Sequence, residues 1–472
     1  MKRIFLPVAW LFLAVLMFAS CLGDNNDTSV SSRETAITSF ALGTVNRYVH
    51  TTSSVGTDSI YKVAYAGSAY KFHIDHVNRT IYNPDSLPYG TDAAHIICTI
   101  LAYNSAAIGI KSITSDSLRA YSSADSIDFR SPRLFRVVSL DGTAWRDYTV
   151  KVNVHQESGD EFGWEQKNTP DWLSGMKSLK AMPCGDRLFV FGSQDGSTGV
   201  ILSTPLSDGD NWTYAAPNLN QPLPADIHEN VAVKHDVIYM KWDGKLMRSS
   251  DGSTWEEVGP ANFSKLLGAS QEQLFALGYD ALLYASSDDG LTWDLESLDD
   301  DVTLLPSQDI SIISTPLVTD GAMERVILLG NRDVSVYPDD NKSVIWVKIQ
   351  DPAKKTGQWM LVGNAYPAYE LPRLNHLAVV PYADGLMALG AEGLGACANE
   401  AFSQFYLSND LGLTWEDDSR LLFPTGFRSG SIFAMTVDTD HYIWLLCTES
   451  GQVWRGRLNE EGWEDVEKAI TE

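Results

Sequence analysis

Cysteine is sparse in this sequence, with five residues in 472. Cys98, Cys184, Cys397 and Cys447 lie far from one another, which excludes the close ligand spacing of a zinc or haem site. Cys98 and Cys447 each end an apolar run, as buried thiols do. A Cys397–Cys447 disulfide in an oxidising compartment stands as the alternative. Basic residues are few as well: 35 Lys and Arg face 61 Asp and Glu, for a formal charge of −26. That balance opposes binding to nucleic acid or to anionic lipid surfaces. The nine histidines show no pair at His-x-x-x-His spacing, so no metal and no cofactor is implied. The acidic run Asp299-Asp300-Asp301 reads as a solvated loop before it reads as a calcium site. Gly-rich phosphate loops and nucleophile elbows are missing too.

Long apolar runs are absent with one exception, at the start. Lys2 and Arg3 precede an apolar stretch from Val8 to Phe18, and Phe18-Ala19-Ser20 lead into Cys21. The stretch is short against the roughly 20 residues a spanning helix needs, so residues 1–20 read as a secretory signal. Small residues directly before a cysteine match the lipobox of bacterial lipoproteins. Cys21 is therefore expected to carry a diacylglyceryl group and to anchor the chain to a membrane. Residues 21–33, rich in Asn, Asp and Ser, read as a flexible tether.

Residues 34–155 alternate with period two. Examples are Tyr61-Lys62-Val63-Ala64-Tyr65 and Tyr70-Lys71-Phe72-His73-Ile74, with polar turn clusters between them. The strongest element is a hairpin in which Leu134–Ser139 and Trp145–Val154 flank Asp141-Gly142, a dipeptide suited to the positive φ of a tight turn. Tyr148, Val150, Val152 and Val154 then share the apolar face. This segment is expected to form one β-sandwich of immunoglobulin-like size.

From residue 160 to 470 a repeat takes over. Its units are Ser249-Ser250-Asp251-Gly252-Ser253-Thr254-Trp255, Ser286-Ser287-Asp288-Asp289-Gly290-Leu291-Thr292-Trp293 and Ser408-Asn409-Asp410-Leu411-Gly412-Leu413-Thr414-Trp415. Ser207-Asp208-Gly209-Asp210-Asn211-Trp212 is a degenerate fourth. These resemble the Asp-box, Ser-x-Asp-x-Gly-x-Thr-Trp, of sialidase-like propellers. In physical terms Asp and Ser close a turn through side chain to backbone hydrogen bonds, Gly permits the reversal, and Trp packs between neighbouring sheets. Strand pairs before each box and a Trp-led strand after it make a four-stranded blade. Counting units that end near Trp212, Trp255, Trp293, Trp359, Trp415 and Trp463 predicts an all-β chain whose second domain is a propeller of six blades, with seven as the alternative. Phe162-Gly163-Trp164-Glu165 either closes the last blade or begins a seventh.

Both halves together resemble a family of two-domain lipoproteins of Gram-negative gut anaerobes, an immunoglobulin-like sandwich followed by an Asp-box propeller. The most specific segments are Ile81 to Thr91 and the hairpin carrying Arg146-Asp147-Tyr148-Thr149-Val150. The resemblance implies no activity. It does imply an outer-membrane address facing the cell exterior, for which Asp24 and Asp27 behind the lipidated cysteine are a loose match. It also suggests O-glycosylation at Asp-Ser pairs followed by an apolar residue, here Ser59, Ser86, Ser117 and Ser126; plain turn chemistry explains those pairs equally well.

A sialidase-like hydrolase is one alternative function, but it needs an arginine triad with a Tyr/Glu nucleophile pair. The propeller opens Asp171-Trp172-Leu173-Ser174 with no such arginine, and Arg332, Arg373 and Arg428 lack recognisable partners. A structural partner in a surface assembly is another. The favoured expectation is a non-catalytic site for a glycan or surface protein on the loops between second and third strands of the blades. Trp242 and Tyr279 there would stack on sugar rings, while Asp243, Asn331 and Arg332 would bond hydroxyls or a carboxylate; packing of the aromatic residues into blade edges is the competing reading.

Overall fold

A computed structural model describes residues 33–52, 58–317, 320–351, 357–363 and 367–463. The signal segment, Cys21 and all of the tether but Arg33 lie outside the described residues. Among the described residues no helix is long and apolar enough to cross a membrane. The chain divides after Gln156 into two compact units.

In the first unit, a three-stranded sheet (Ile37–Leu42, Ile96–Ala102, Ser126–Ile127) and a six-stranded sheet share one core. Strand alternation does the work: Tyr148 and Val150 are fully buried on one face while Thr149 and Lys151 are exposed on the other. The anticipated hairpin is present as Arg133–Val138 paired with Trp145–Lys151. Its turn carries Gly142 at φ +67, and Asp141 Oδ1 accepts from Ser139 Oγ (2.6 Å) and the Thr143 amide (2.9 Å). The run from Tyr70 is strand only over His73–Asp75. The hairpin strand Trp145–Lys151 is interior to the six-stranded sheet, since Thr80–Tyr82 pairs with its other edge in parallel. Of the four Asp-Ser serines, Ser117 and Ser126 are exposed and Ser59 and Ser86 half-buried.

The second unit is a ring of six sheets. First strands Ser178–Cys184, Val231–Lys234, Lys265–Ala269, Gln308–Leu317, Ala378–Tyr382 and Phe433–Val437 pack side by side in that order, and the sixth returns to the first. Six apolar clusters fill the six gaps between blades. In one, Leu188, Val190 and Leu202 of blade 1 meet Trp444, Leu446 and Val453 of blade 6. Three fully buried tryptophans, Trp346, Trp359 and Trp444, each remove on the order of 200 Å² from water, a gross gain of about 5 kcal/mol apiece before ordering entropy.

Closure settles the ambiguous strand. Phe162–Gln166 pairs antiparallel with Val453–Leu458 as the outer strand of blade 6. The sixth unit therefore does not end at Trp463, which follows the short 3-10 turn Asn459–Gly462. Closing a ring with the two ends of one domain ties the N-terminal strand of the propeller to its last blade.

The two full boxes and the shorter one all form the expected turn. Ser286 Oγ and the Thr292 amide and hydroxyl converge on Asp288 at 2.8, 2.8 and 2.6 Å, and Trp293 Nε1 donates to the Gly290 carbonyl at 3.2 Å. The box of Ser408, Asp410, Gly412, Thr414 and Trp415 repeats this geometry. The shorter box, Ser249 to Trp255, makes the same contacts one residue tighter, with Trp255 Nε1 on the Gly252 carbonyl at 2.9 Å. Gly290 sits at φ +96, and a Cβ there would lie 2.0 Å from Leu246 of the preceding blade. The motif is thus a clasp between blades. Ser193-Gln194-Asp195-Gly196-Ser197-Thr198 builds a similar turn between the second and third strands of blade 1. Lacking the tryptophan, it makes a turn without a clasp.

Candidate functional site at the channel mouth

Because every blade repeats one up-and-down order, all first strands enter from the same end of the ring. The axis is a channel of about 770 Å³ lined by those strands, within the range of small-molecule sites. Its wall mixes apolar residues, among them Ile310 and Val334, with polar and charged ones. At the entrance, charged and polar groups gather: Lys180, His228, Glu229, Lys265, Asp309 and His376.

Five chain segments deliver them. Lys180 lies near the start of the first strand of blade 1, and Lys265 begins that of blade 3. His228 and Glu229 sit on the 3-10 turn Ile227–Glu229 just before blade 2. Asp309, at φ +49, opens the first strand of blade 4, and His376, at φ +51, precedes that of blade 5. Left-handed backbone at a residue with a side chain is mildly unfavourable, and here it turns two ionisable groups toward the entrance.

The pairing among these groups is uneven. Lys265 Nζ meets Glu229 Oε2 at 2.6 Å. Burial opposes the charge on Glu229, but that ammonium outweighs it and holds the carboxyl below its ordinary value. Asp309 Oδ2 accepts from Asn331 Nδ2 at 3.0 Å, yet burial dominates and pushes its carboxyl up. Burial also pushes the His228 imidazole down; its Nε2 is 3.9 Å from Glu229 Oε1, while Nδ1 is buried with no hydrogen-bond partner among the described residues. Lys180 Nζ donates to the Val231 carbonyl at 3.3 Å and has no carboxylate within salt-bridge distance among the described residues. Burial, with the neighbouring Lys265 charge, brings it down to about 8.

The five residues expected to form the site have different surroundings. Trp242 is buried, 7 % exposed, in the cluster between blades 1 and 2, with Nε1 toward the Pro222 carbonyl at 3.4 Å. Its ring is covered and offers no stacking face, because an apolar ring at a strand end gains more from the inter-blade gap than from water. Asn331 is fully buried, bonded to Asp309, the Leu374 carbonyl and Ser343. Arg332 forms a two-pronged pair with Asp340 at 2.8 and 2.7 Å and lies 3.7 Å over the Tyr337 ring. Asp243, at φ +50 beside Gly244 at φ +71, makes the tight turn that such a pair favours. Asp243 is exposed, and Tyr279 is widely so, at 74 %, with Lys241 Nζ 5.4 Å from its ring.

Arg373 is likewise engaged. Fully buried, it donates to the carbonyls of Arg332, Tyr337 and Asp340 and so fastens the loop 332–343 of blade 4. With Arg332 on Asp340 as well, neither is available to clamp a ligand carboxylate. The four cysteines of the described chain are free thiols. Burial pushes the Cys98 and Cys447 thiols up to about 12, where no nucleophilic thiolate forms at neutral pH.

Lys180, Lys265 and Asp309 were not singled out from the sequence. The available signal was a charged residue at the start of an otherwise apolar strand that opens a blade, as in Leu179-Lys180-Ala181, Lys265-Leu266-Leu267 and Asp309-Ile310.

Comparison with known proteins adds the following. The profile described as DUF6242 beta propeller domain matches residues 158–466, and that of the DUF6242 N-terminal domain matches residues 40–152. No curated protein matches significantly. Among solved structures, YCF48 from Cyanidioschyzon merolae is similar at 14 % identity and TM-score 0.31, over 62 % of this chain and 98 % of that one. The N-terminal domain of Nup159 is similar at 11 % and 0.31, over 64 % and 96 %. Trypanosoma rangeli sialidase, in complex with the inhibitor DANA, is similar at 12 % and 0.33, over 61 % and 56 %.

Proposed function

This chain belongs to the DUF6242 family, and from that premise we propose a membrane-anchored binding protein that holds its ligand, without chemistry, at the mouth of the propeller channel. One observation carries the reading. Ionisable groups from five separate chain segments meet at the entrance of a channel of about 770 Å³. Bringing charge to a partly apolar wall is unfavourable unless a partner or solvent meets it, and rigid strands set those groups at fixed positions. The ligand is a glycan or a segment of a surface protein. Cys21 is its lipid anchor, residues 21–33 the tether, and the outer face of the outer membrane the address.

Anchoring predicts that Cys21→Ser moves the protein from the membrane fraction to the soluble fraction of its native host, and that the wild-type N-terminus has the mass of a diacylated cysteine. An unmodified Cys21 in the mature protein would remove the anchor. Capture is tested on a glycan array with the soluble form that begins after Cys21. Val334 lines the entrance on an accessible loop, so Val334→Trp should plug the mouth. Capture is expected to fall at least tenfold while the melting temperature holds within about 2 °C, as surface changes usually leave it. Undiminished capture by this variant would place the site off the channel.

A further inference from the structure

The most deeply buried lysines of the propeller are each paired with a carboxylate. Lys167, Lys234 and Lys348, whose side chains are 7, 8 and 1 % exposed, pair with Glu165, Asp289 and Glu296 at 2.8, 2.9 and 2.6 Å. Desolvating an ammonium is costly, and each of these charges has a carboxylate to offset it. Lys180 lines the channel without one. Its hydrogen bond goes to the Val231 carbonyl, and the nearby carboxylate, Glu229, is held by Lys265.

We propose that the channel mouth binds an acidic sugar through its carboxylate, with the Lys180 ammonium as counter-charge. The inference rests on the channel being the ligand site. Around that charge the wall supplies what a sugar ring needs. Gln308, Ser311 and Asn375 offer partners for hydroxyls, and Ile310 and Val334 offer apolar surface for ring C–H groups. The chain's net charge of −26 opposes anions at long range, but that repulsion is screened beyond roughly 8 Å at physiological ionic strength, so the local charge decides.

Groups facing Lys180 from the packed elements are His228 and Glu229 before blade 2, Lys265 of blade 3, Asp309 of blade 4 and His376 of blade 5; the first strand of blade 6 contributes Phe433 to Val437, with no ionisable side chain. With Lys180 down near 8, its charge is present at pH 7 and is lost as pH rises through that value. A bound carboxylate favours the charged form, so binding near pH 8 takes up protons.

The test titrates D-glucuronate and D-glucose, which differ at carbon 6 as carboxylate and hydroxymethyl, into the soluble form by calorimetry. Glucuronate should bind at least tenfold tighter at pH 7, and the preference should shrink severalfold by pH 9. At pH 8 the heat should vary between buffers of different ionisation enthalpy, reporting proton uptake. Lys180→Met should abolish the preference and the proton uptake, and Lys180→Arg should keep the preference, both with unchanged melting temperature. Equal binding of the two sugars, a preference that survives Lys180→Met, or no glucuronate binding at millimolar concentration would overturn the inference. Capture of an uncharged glycan that Val334→Trp blocks would leave the channel reading standing while this inference fell; capture insensitive to Val334→Trp would end both.

Discussion

Lys348→Met is expected to destabilise the propeller by about 3–5 kcal/mol, the usual consequence of removing one partner of a buried ion pair. Lys348 stands on the third strand of blade 4, 1 % exposed, and donates to Glu296 Oε2 at 2.6 Å and to Gln273 Oε1 at 3.0 Å. Glu296 also accepts from Trp359 Nε1 at 2.6 Å. It lies in the connection from blade 3 to blade 4, and Gln273 belongs to blade 3, so the cluster joins neighbouring blades through polar groups inside an apolar gap. Against a typical domain stability of about 5–15 kcal/mol, the loss would be a large share of the total. The physical cause makes a sharper forecast. Glu296 would be left as a buried charge without its cation, so the double variant Lys348→Met with Glu296→Leu should recover much of the loss. Urea unfolding of the single and double variants beside the wild type checks this. A single variant that unfolds at the wild-type midpoint would mean that the pair is not desolvated.

The second large effect concerns Arg373. Its guanidinium holds the carbonyls of Arg332, Tyr337 and Asp340 from a fully buried position. Arg373→Met would leave these acceptors without their donor. At about 1.5–3 kcal/mol for each charged hydrogen bond, partly recovered where the loop reaches water, the loss should be roughly 3–5 kcal/mol. Its local signature should be release of loop 332–343, read as rapid chymotryptic cleavage after Tyr337 at temperatures where the rest of the ring resists. Because Val334 on this loop lines the channel mouth, the same variant should weaken ligand capture. Resistance at Tyr337 equal to wild type would show that Asp340 and Arg332 fasten the loop without Arg373.

The limits of the sequence reading are visible in particular residues. Asp288, Gly290 and Trp293 were legible because a turn is decided by neighbours within five residues, and the Ser-Asp-Gly-Thr chemistry is the same wherever it occurs. Trp242 and Tyr279 looked alike in sequence, as aromatic residues at strand ends between a second and third strand. Packing separates them: Trp242 faces the gap between blades 1 and 2 and is covered, and Tyr279 faces outward. Asn331 and Arg332 are adjacent in a loop that looked open to ligand, yet Arg373, some forty positions later, turns that loop into a braced element.

The sequence by itself determined the two-part, all-β plan, the period-two alternation of the strands and the blade-ending turns, because each depends on contacts within a strand and its hairpin partner. The tertiary structure alone decided that Phe162–Gln166 closes the ring and that Lys180, Glu229, Lys265 and Asp309 share one entrance. Both follow from how many blades bring the ring round to its start, a property of inter-blade packing angles that no single repeat carries.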